Sequence, residues 1–243
     1  LCTEIIEFSS PEEAAVCNLA SIALSKCVEN KGFNYDKLHM LSKMVTVNLN
    51  RIIDKNYYPT KEAKRSNLLH RPIGIGVQGL ADTFALMDIA FDSELAKETN
   101  KFIFETIYHG ALEASCELAM ERKEVLLPVR EKLDNDKLRF NDYDNPIDMV
   151  IDSRGELVMK ENLLLQAEMN NLEERHLGSY SSFTGSPMYN GKFQFDLWKV
   201  SPSERYDWKA LMEMIQDNGI RNSLLLAPMP TASTSQILGN NEC

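Results

Sequence analysis

Ala227-Pro-Met-Pro-Thr-Ala-Ser-Thr-Ser-Gln-Ile-Leu-Gly-Asn-Asn-Glu242, the sixteen residues before the last cysteine, assemble an anion site from ordinary parts. Leu224, Leu225 and Leu226 form a short apolar run of buried-strand type, Pro228 and Pro230 stop it, and hydroxyls and small residues then open a helix. At such an opening the unpaired backbone N–H groups and the positive end of the helix dipole converge on one point, where a phosphate fits. Simple capping competes with this reading, because Ser233 and Gln236 stand at the spacing of a capping box. The hydroxyls of Thr231, Ser233 and Thr234 exceed what one cap needs, and Ala232 leaves room for a ligand to approach the backbone.

At the other end, Leu1-Cys2-Thr3-Glu4-Ile5 sets a thiol and a carboxylate two residues apart. In an extended segment the side-chain period is two, so Cys2 and Glu4 project to one side and can address one small substrate together. A third group, Cys17, follows in Ala-Val-Cys-Asn-Leu-Ala-Ser. For any single thiol the plain alternative is a small buried hydrophobe.

The chain has 243 residues, 44% hydrophobic and 26% charged, enough for one large domain or part of a larger one. A net charge of −10 argues against nucleic acid or an anionic membrane as the main partner, so an anionic substrate must be held by local donors. No apolar run approaches the roughly 20 residues needed to span a bilayer, and no signal-peptide pattern opens the chain. Five cysteines at irregular spacing do not read as a disulfide scaffold, which points to a reducing, cytoplasmic setting. His39, His70, His109 and His176 are scattered and no Cys-x-x-Cys pair occurs, so no metal site is expected.

Apolar spacing predicts a helix from Pro11 to about Asn30, with Ser10 as N-cap, and a second from Asn34 to Asp54. Tyr57-Tyr-Pro59 breaks the second and opens a polar, basic connector ending at Arg71. Pro72-Ile-Gly-Ile-Gly-Val-Gln-Gly79 reads as a strand or strand-to-turn element feeding a helix from Leu80 to Met87. Gly74, Gly76 and Gly79 match Gly-x-Gly-x-x-Gly, but a dinucleotide fingerprint needs a βαβ unit with an acidic residue ending the second strand. A long helical stretch from Asp92 to Arg122 follows instead, so the glycines are assigned to close backbone packing. From Lys123 to about Arg175 dense mixed charge suggests a surface insertion, with one short amphipathic helix through Leu163–Leu165, Met169 and Leu172. Asp207 to Ile215 is helical by period, stopped by Asn218-Gly219.

Taken in order, Leu1–Ile5, Cys17-Asn-Leu-Ala-Ser21, Arg71–Asp82, the stretch from Trp208 through Gly219-Ile-Arg-Asn222, and Pro230–Glu242 resemble the large catalytic subunit of class I ribonucleotide reductase. The resemblance implies a ten-stranded α/β barrel, with this helix-rich chain (1–243) as an internal fragment. It would supply the central radical loop at 1–5 and the second half-barrel, with the charged stretch 123–175 inserted in a family pattern that otherwise lacks it. It also implies reduction of ribonucleoside diphosphates to deoxyribonucleotides. In that role Cys2 becomes the thiyl, Glu4 is general base on the 3′-hydroxyl, and Cys17 is one half of the reducing dithiol. Leu1, Pro230, Thr231, Ala232, Ser233 and Thr234 would hold the substrate.

Implied partners are an iron-containing, radical-generating small subunit, a second large subunit or higher oligomer, and thioredoxin or glutaredoxin. Effector sites for ATP, dATP, dTTP and dGTP, the second dithiol cysteine and the radical-relay tyrosines would lie outside this fragment, which alone should not turn over. No cofactor is expected to be bound covalently. The wording of Pro230–Glu242 is similar to the eukaryotic and viral aerobic type. Two alternatives stay open: a coenzyme B12-dependent or anaerobic reductase on the same barrel, and a non-catalytic phosphate-binding or assembly module or degenerate paralogue.

Overall fold

Three stretches of extended chain lie side by side and parallel, and everything else is hung on them. In the computed structural model, residues 4–134, 150–151, 157–158 and 171–243 are described. Strand β1 (Leu19–Ala23) is followed by a 3-10 turn at Leu24–Cys27 and a two-residue hairpin, β2 (Val28–Glu29) against β3 (Gly32–Phe33). Then come α1 (Tyr35–Lys55), α2 (Lys61–His70), β4 (Gly74–Gln78), α3 (Leu80–Leu86) and α4 (Glu94–Asp134). The short pair β5 (Val150–Ile151) and β6 (Leu157–Val158) precedes α5 (Gln194–Leu197), α6 (Trp208–Asn218) and α7 (Ala232–Leu238).

β1 pairs parallel with β4 in the register Leu19 to Gly74 through Ala23 to Gln78. On its other edge β4 takes Leu224–Ala227 in parallel, since Ile75 N donates to Leu225 O at 2.8 Å and Ala227 N to Ile75 O at 3.0 Å. All five residues of β4 are buried, as befits a central parallel strand covered on both faces. The glycines serve close packing. A Cβ on Gly74 would lie 2.5 Å from Leu19 Cδ2 and 2.7 Å from Ala227 Cβ, and one on Gly76 would lie 2.9 Å from the Ala227 carbonyl. Gly79 adopts φ +72, the left-handed turn that starts α3.

The first expected helix is absent. Residues 11–30 form a turn, β1 and the 3-10 segment, and Ser10 pairs with Glu13 instead of capping a helix. A continuous apolar run is ambiguous between helix and buried strand, and here pairing with β4 decides it. The expected connector before Arg71 is helix α2, capped by Thr60, whose hydroxyl accepts from Ala63 N at 3.2 Å. α1 meets its expectation, with the Asn34 side chain accepting from Lys37 N at 2.9 Å. α4 extends to Asp134, well past Lys123, because Leu126 stays fully buried. The proposed helix through Leu163 to Met169 lies outside the described residues, while Leu172 is core.

One polar network ties the helices to the strands. The buried Arg71 guanidinium donates from Nε to Asn50 Oδ1 at 3.0 Å and with both Nη atoms to Asp54 at 2.8 and 2.9 Å. Asn222 donates to the Arg71 carbonyl at 3.0 Å and to Asn50 Oδ1 at 3.2 Å, and its own N–H reaches Ser115 Oγ at 3.0 Å. The end of α2, α1, α4 and the run into Leu224 are thereby held in one geometry, in which the buried guanidinium is satisfied.

Candidate active site

The carboxyl ends of the three parallel strands converge on the closing segment of the chain. Parallel α/β sheets present ligand sites there, because the loops that follow the strands gather at that edge. Asn240 Nδ2 donates to Gln78 Oε1 at 3.0 Å, Ser25 Oγ donates to Asn240 Oδ1 at 3.0 Å, and Gln78 Nε2 donates to Ser21 Oγ at 2.8 Å. Gly79 N–H donates to the carbonyls of Asn241 and Glu242 at 3.0 Å each, and Asn241 N–H to Asp82 Oδ2 at 2.9 Å. The segment after α7 is therefore stitched to the ends of β1, β4 and α3.

The amino end of α7 is built differently from a capped helix. Its N-cap is Thr231, whose side chain makes no cap hydrogen bond, so the expected box of Ser233 and Gln236 is not the cap and both residues lie inside the helix. Thr231 sits at φ +61, a conformation that costs a β-branched residue roughly 1–2 kcal/mol. Thr231 Oγ1 and Ser235 Oγ are both buried without a hydrogen-bond partner. An unsatisfied buried hydroxyl costs on the order of 1–3 kcal/mol. Pro230, Ala232, Ser233 and Thr234 are exposed beside them, with Thr234 Oγ1 donating to Thr231 O at 3.3 Å.

The front of the chain packs along the amino ends of the strands. Ile6, Glu7 and Phe8 line a cavity of about 450 Å³ with Pro72, Ser223 and Leu224, at the amino ends of the strands. Phe8 also meets the His70 ring edge-on at 6.2 Å. Ile5 is higher, since a Cβ on Gly74 would lie 3.7 Å from Ile5 Cδ1 and 2.7 Å from Ala227 Cβ. Glu4 is half-buried. Leu1, Cys2 and Thr3 lie outside the described residues.

Cys17 is exposed two residues before β1. Its mount is rigid. Asn18 is buried and donates to Asn67 Oδ1 and to Pro72 O, the latter at 3.0 Å, while Asn67 Nδ2 donates to Val16 O at 3.1 Å. Cys27 and Cys116 are fully buried, and burial pushes the Cys116 thiol up to about 12. A thiol held protonated is a poor redox centre.

Spacing in the sequence had no means of finding Asn18, Asn67, Gln78 or Asn240 as supports. Asn18, Gln78 and Asn240 do, however, fall inside three of the quoted motif blocks. The histidines are not all scattered either. Packing of α1 on α4 brings His39 Nε2 to 2.9 Å from His109 Nδ1 and 3.3 Å from Glu113 Oε2.

Among known proteins, the family described as "Ribonucleotide reductase, barrel domain" matches residues 1–243. The chain is 47% identical over 243 residues to the "Ribonucleoside-diphosphate reductase large chain" of Schizosaccharomyces pombe, covering 100% of this chain and 23% of that protein. It is 48% identical over 243 residues to the large subunit of Caenorhabditis elegans (100% and 24%), and 46% over 263 residues to that of Arabidopsis thaliana (100% and 26%). The similarity covers the charged stretch 123–175 as well, and the chain spans about a quarter of the length of these relatives. No helix among the described residues is long and apolar enough to cross a membrane. The parallel strands, the close-packed glycines and the full-length match agree: the chain belongs to the ribonucleotide reductase barrel-domain family.

Proposed function

We propose that this chain contributes the reacting thiol, the acid and the phosphate cradle for reduction of ribonucleoside diphosphates to 2′-deoxyribonucleoside diphosphates. The observation that carries the reading is the rise of the front loop. Residues 6–8 lie at the level of Pro72 and Leu224, and Ile5 lies at the level of Gly74 and Ala227. If the loop keeps that direction at about 3.3 Å per residue, it would carry the reacting thiol and acid toward the carboxyl ends where α7 begins.

The diphosphate sits on the N–H groups and hydroxyls of Thr231, Ala232, Ser233 and Thr234, with Leu1 and Pro230 flanking the nucleotide. Hydroxide leaves an unactivated ribose carbon poorly, and a radical on the neighbouring carbon removes that obstacle. Cys2, as a sulfur radical, takes the 3′-hydrogen and becomes a thiol, leaving the unpaired electron on C3′. Glu4 takes the 3′-hydroxyl proton as general base, which assists departure of the protonated 2′-hydroxyl as water. A dithiol of which Cys17 is one sulfur supplies two electrons and two protons, one proton to the leaving 2′-oxygen and one to C2′, and closes to a disulfide, while Glu4 returns its proton to the 3′-oxygen. Cys2 then returns the 3′-hydrogen, and thiol exchange with thioredoxin or glutaredoxin resets the disulfide.

No side chain here generates a radical unaided, so an iron-containing small subunit supplies it, with the large subunit acting as a dimer or higher oligomer. The nucleotide effectors bind elsewhere in the longer polypeptide. The exposed Cys17 thiol suits a reducing, cytoplasmic location. The test is conversion of CDP to dCDP by the full-length polypeptide carrying this chain, with its small subunit and a dithiol reductant. Cys2→Ser should bring turnover to background while CDP binding survives. Intact turnover in Cys2→Ser would overturn the radical role.

A further inference from the structure

Gly110 lets the long helix α4 settle against α1 at one point. A Cβ there would lie 2.9 Å from the His39 carbonyl and 3.3 Å from His39 Cδ2. His109 and Glu113 stand one turn apart on the same face of α4 and so meet His39 together. His39 Nε2 is 2.9 Å from His109 Nδ1 and 3.3 Å from Glu113 Oε2, and one ligand atom from each of the three lies within 4.8 Å of the others. The ring planes are held from outside. Tyr206 stacks on His109 at 4.3 Å and on His39 at 5.6 Å, and Trp208 meets His109 edge-on at 5.2 Å.

We propose that His39, His109 and Glu113 form a binding site for a divalent first-row cation of the zinc type, bridging α1 and α4. Two imidazoles and one carboxylate are a frequent three-ligand set for zinc, leaving a fourth position for water. With bonds of 2.0–2.1 Å, tetrahedral donors lie about 3.3 Å apart; the two separations from His39 Nε2, 2.9 and 3.3 Å, are within a few tenths of an ångström of that, and the third pair is within 4.8 Å. Imidazole donors select against magnesium and calcium, which prefer oxygen shells. Lys43 is the competitor for Glu113, at 3.3 Å, but its ammonium also lies 2.6 Å from Glu117 Oε1 and has that carboxylate to retain it. The site is remote in sequence from Cys2, Glu4 and Cys17, and it stands or falls separately from the reductase reading.

The test uses the full-length polypeptide carrying this chain, stripped by chelator and titrated with Zn²⁺ alone against a chromophoric chelator. Co²⁺ substitution reads the geometry through its visible absorption. The expected result is one equivalent of Zn²⁺ that is lost in His39→Gln and in His109→Gln and weakened at least about tenfold in Glu113→Gln. Lys43→Gln should tighten it, which loss of a merely structural contact would not do. Magnesium should not compete. If His109→Gln fails to fold, as judged by metal-free thermal melting, the half-buried His39 variant gives the answer. Absence of that equivalent in the parent, or its survival in the His39→Gln, His109→Gln double variant, overturns the proposal.

Discussion

The seam between α1 and α4 and the amino end of α7 are both buried polar places, and they treat their hydroxyls in opposite ways. Along the seam Ser42 Oγ donates to Leu38 O at 2.8 Å, Thr46 Oγ1 to Ser42 O at 2.9 Å and Thr106 Oγ1 to Phe102 O at 2.7 Å. At α7, Thr231 Oγ1 and Ser235 Oγ are as deeply buried and find nothing, and Thr231 is held in a left-handed conformation as well. Unmet hydrogen bonds and strain that a stable fold would shed are what a ligand site retains. On the proposed function, Thr231 and Ser235 keep their hydroxyls for the substrate while those of the seam serve the fold.

The largest expected effect falls on the fold side. Arg71→Ala removes a fully buried side chain and its bonds to Asn50, and should cost about 3 kcal/mol in urea unfolding. Its pair with Asp54 adds less, because that carboxylate is half exposed. A loss under about 1 kcal/mol would mean that the network does not hold the strands.

The α7 side makes the opposite prediction. Thr231→Val keeps shape and branching but deletes the unpartnered hydroxyl, so stability should hold or rise by up to about 1 kcal/mol. KM for the diphosphate substrate should rise about tenfold at the same time, as expected for a lost hydrogen bond to a charged group. Reduced stability with unchanged KM would make Thr231 a fold residue like those of the seam.

The smallest effect is in acid. Burial, with His39 adding to it, holds His109 down at about 4, while Glu113 opposes and Lys43 reinforces the shift; His39 itself is also lowered by burial. The folded form therefore binds fewer protons than the unfolded chain between about pH 6.5 and 4. In the metal-free protein, stability should be level above pH 6.5 and decline as the pH falls toward 4, measured by unfolding across that range with chelator present. His109→Gln should flatten the decline.

Motifs were easier to read than elements, for reasons visible in particular residues. α1 shows a clear apolar period and an Asn34 cap, and it falls within a residue of its expected bounds. α2 hid because its buried face carries Ser66 and Asn67 beside Ala63 and Leu69, which erases the hydrophobic period. β1 hid because the run Ala14 to Leu24 suits either a helix or a buried strand, and only β4 decides. Dense mixed charge made Lys123 look like a boundary, whereas Leu126 carries α4 onward into the core. At the candidate site the uncapped, hydroxyl-rich opening of α7 was legible as residue type and order. Asn18 with Asn67, and Gln78 with Asn240, were not, because each pair is separated by many residues and joined only by folding.

The most direct measurement is a crystal structure of the full-length polypeptide with CDP bound. The expected electron density places the diphosphate on the N–H groups of residues 232–234 and Thr231 Oγ1, with the ribose 3′-carbon facing Cys2 Sγ and its hydroxyl within hydrogen-bond reach of Glu4. A nucleotide seated away from α7, or a Cys2 thiol turned from the ribose with core packed between them, would contradict the account.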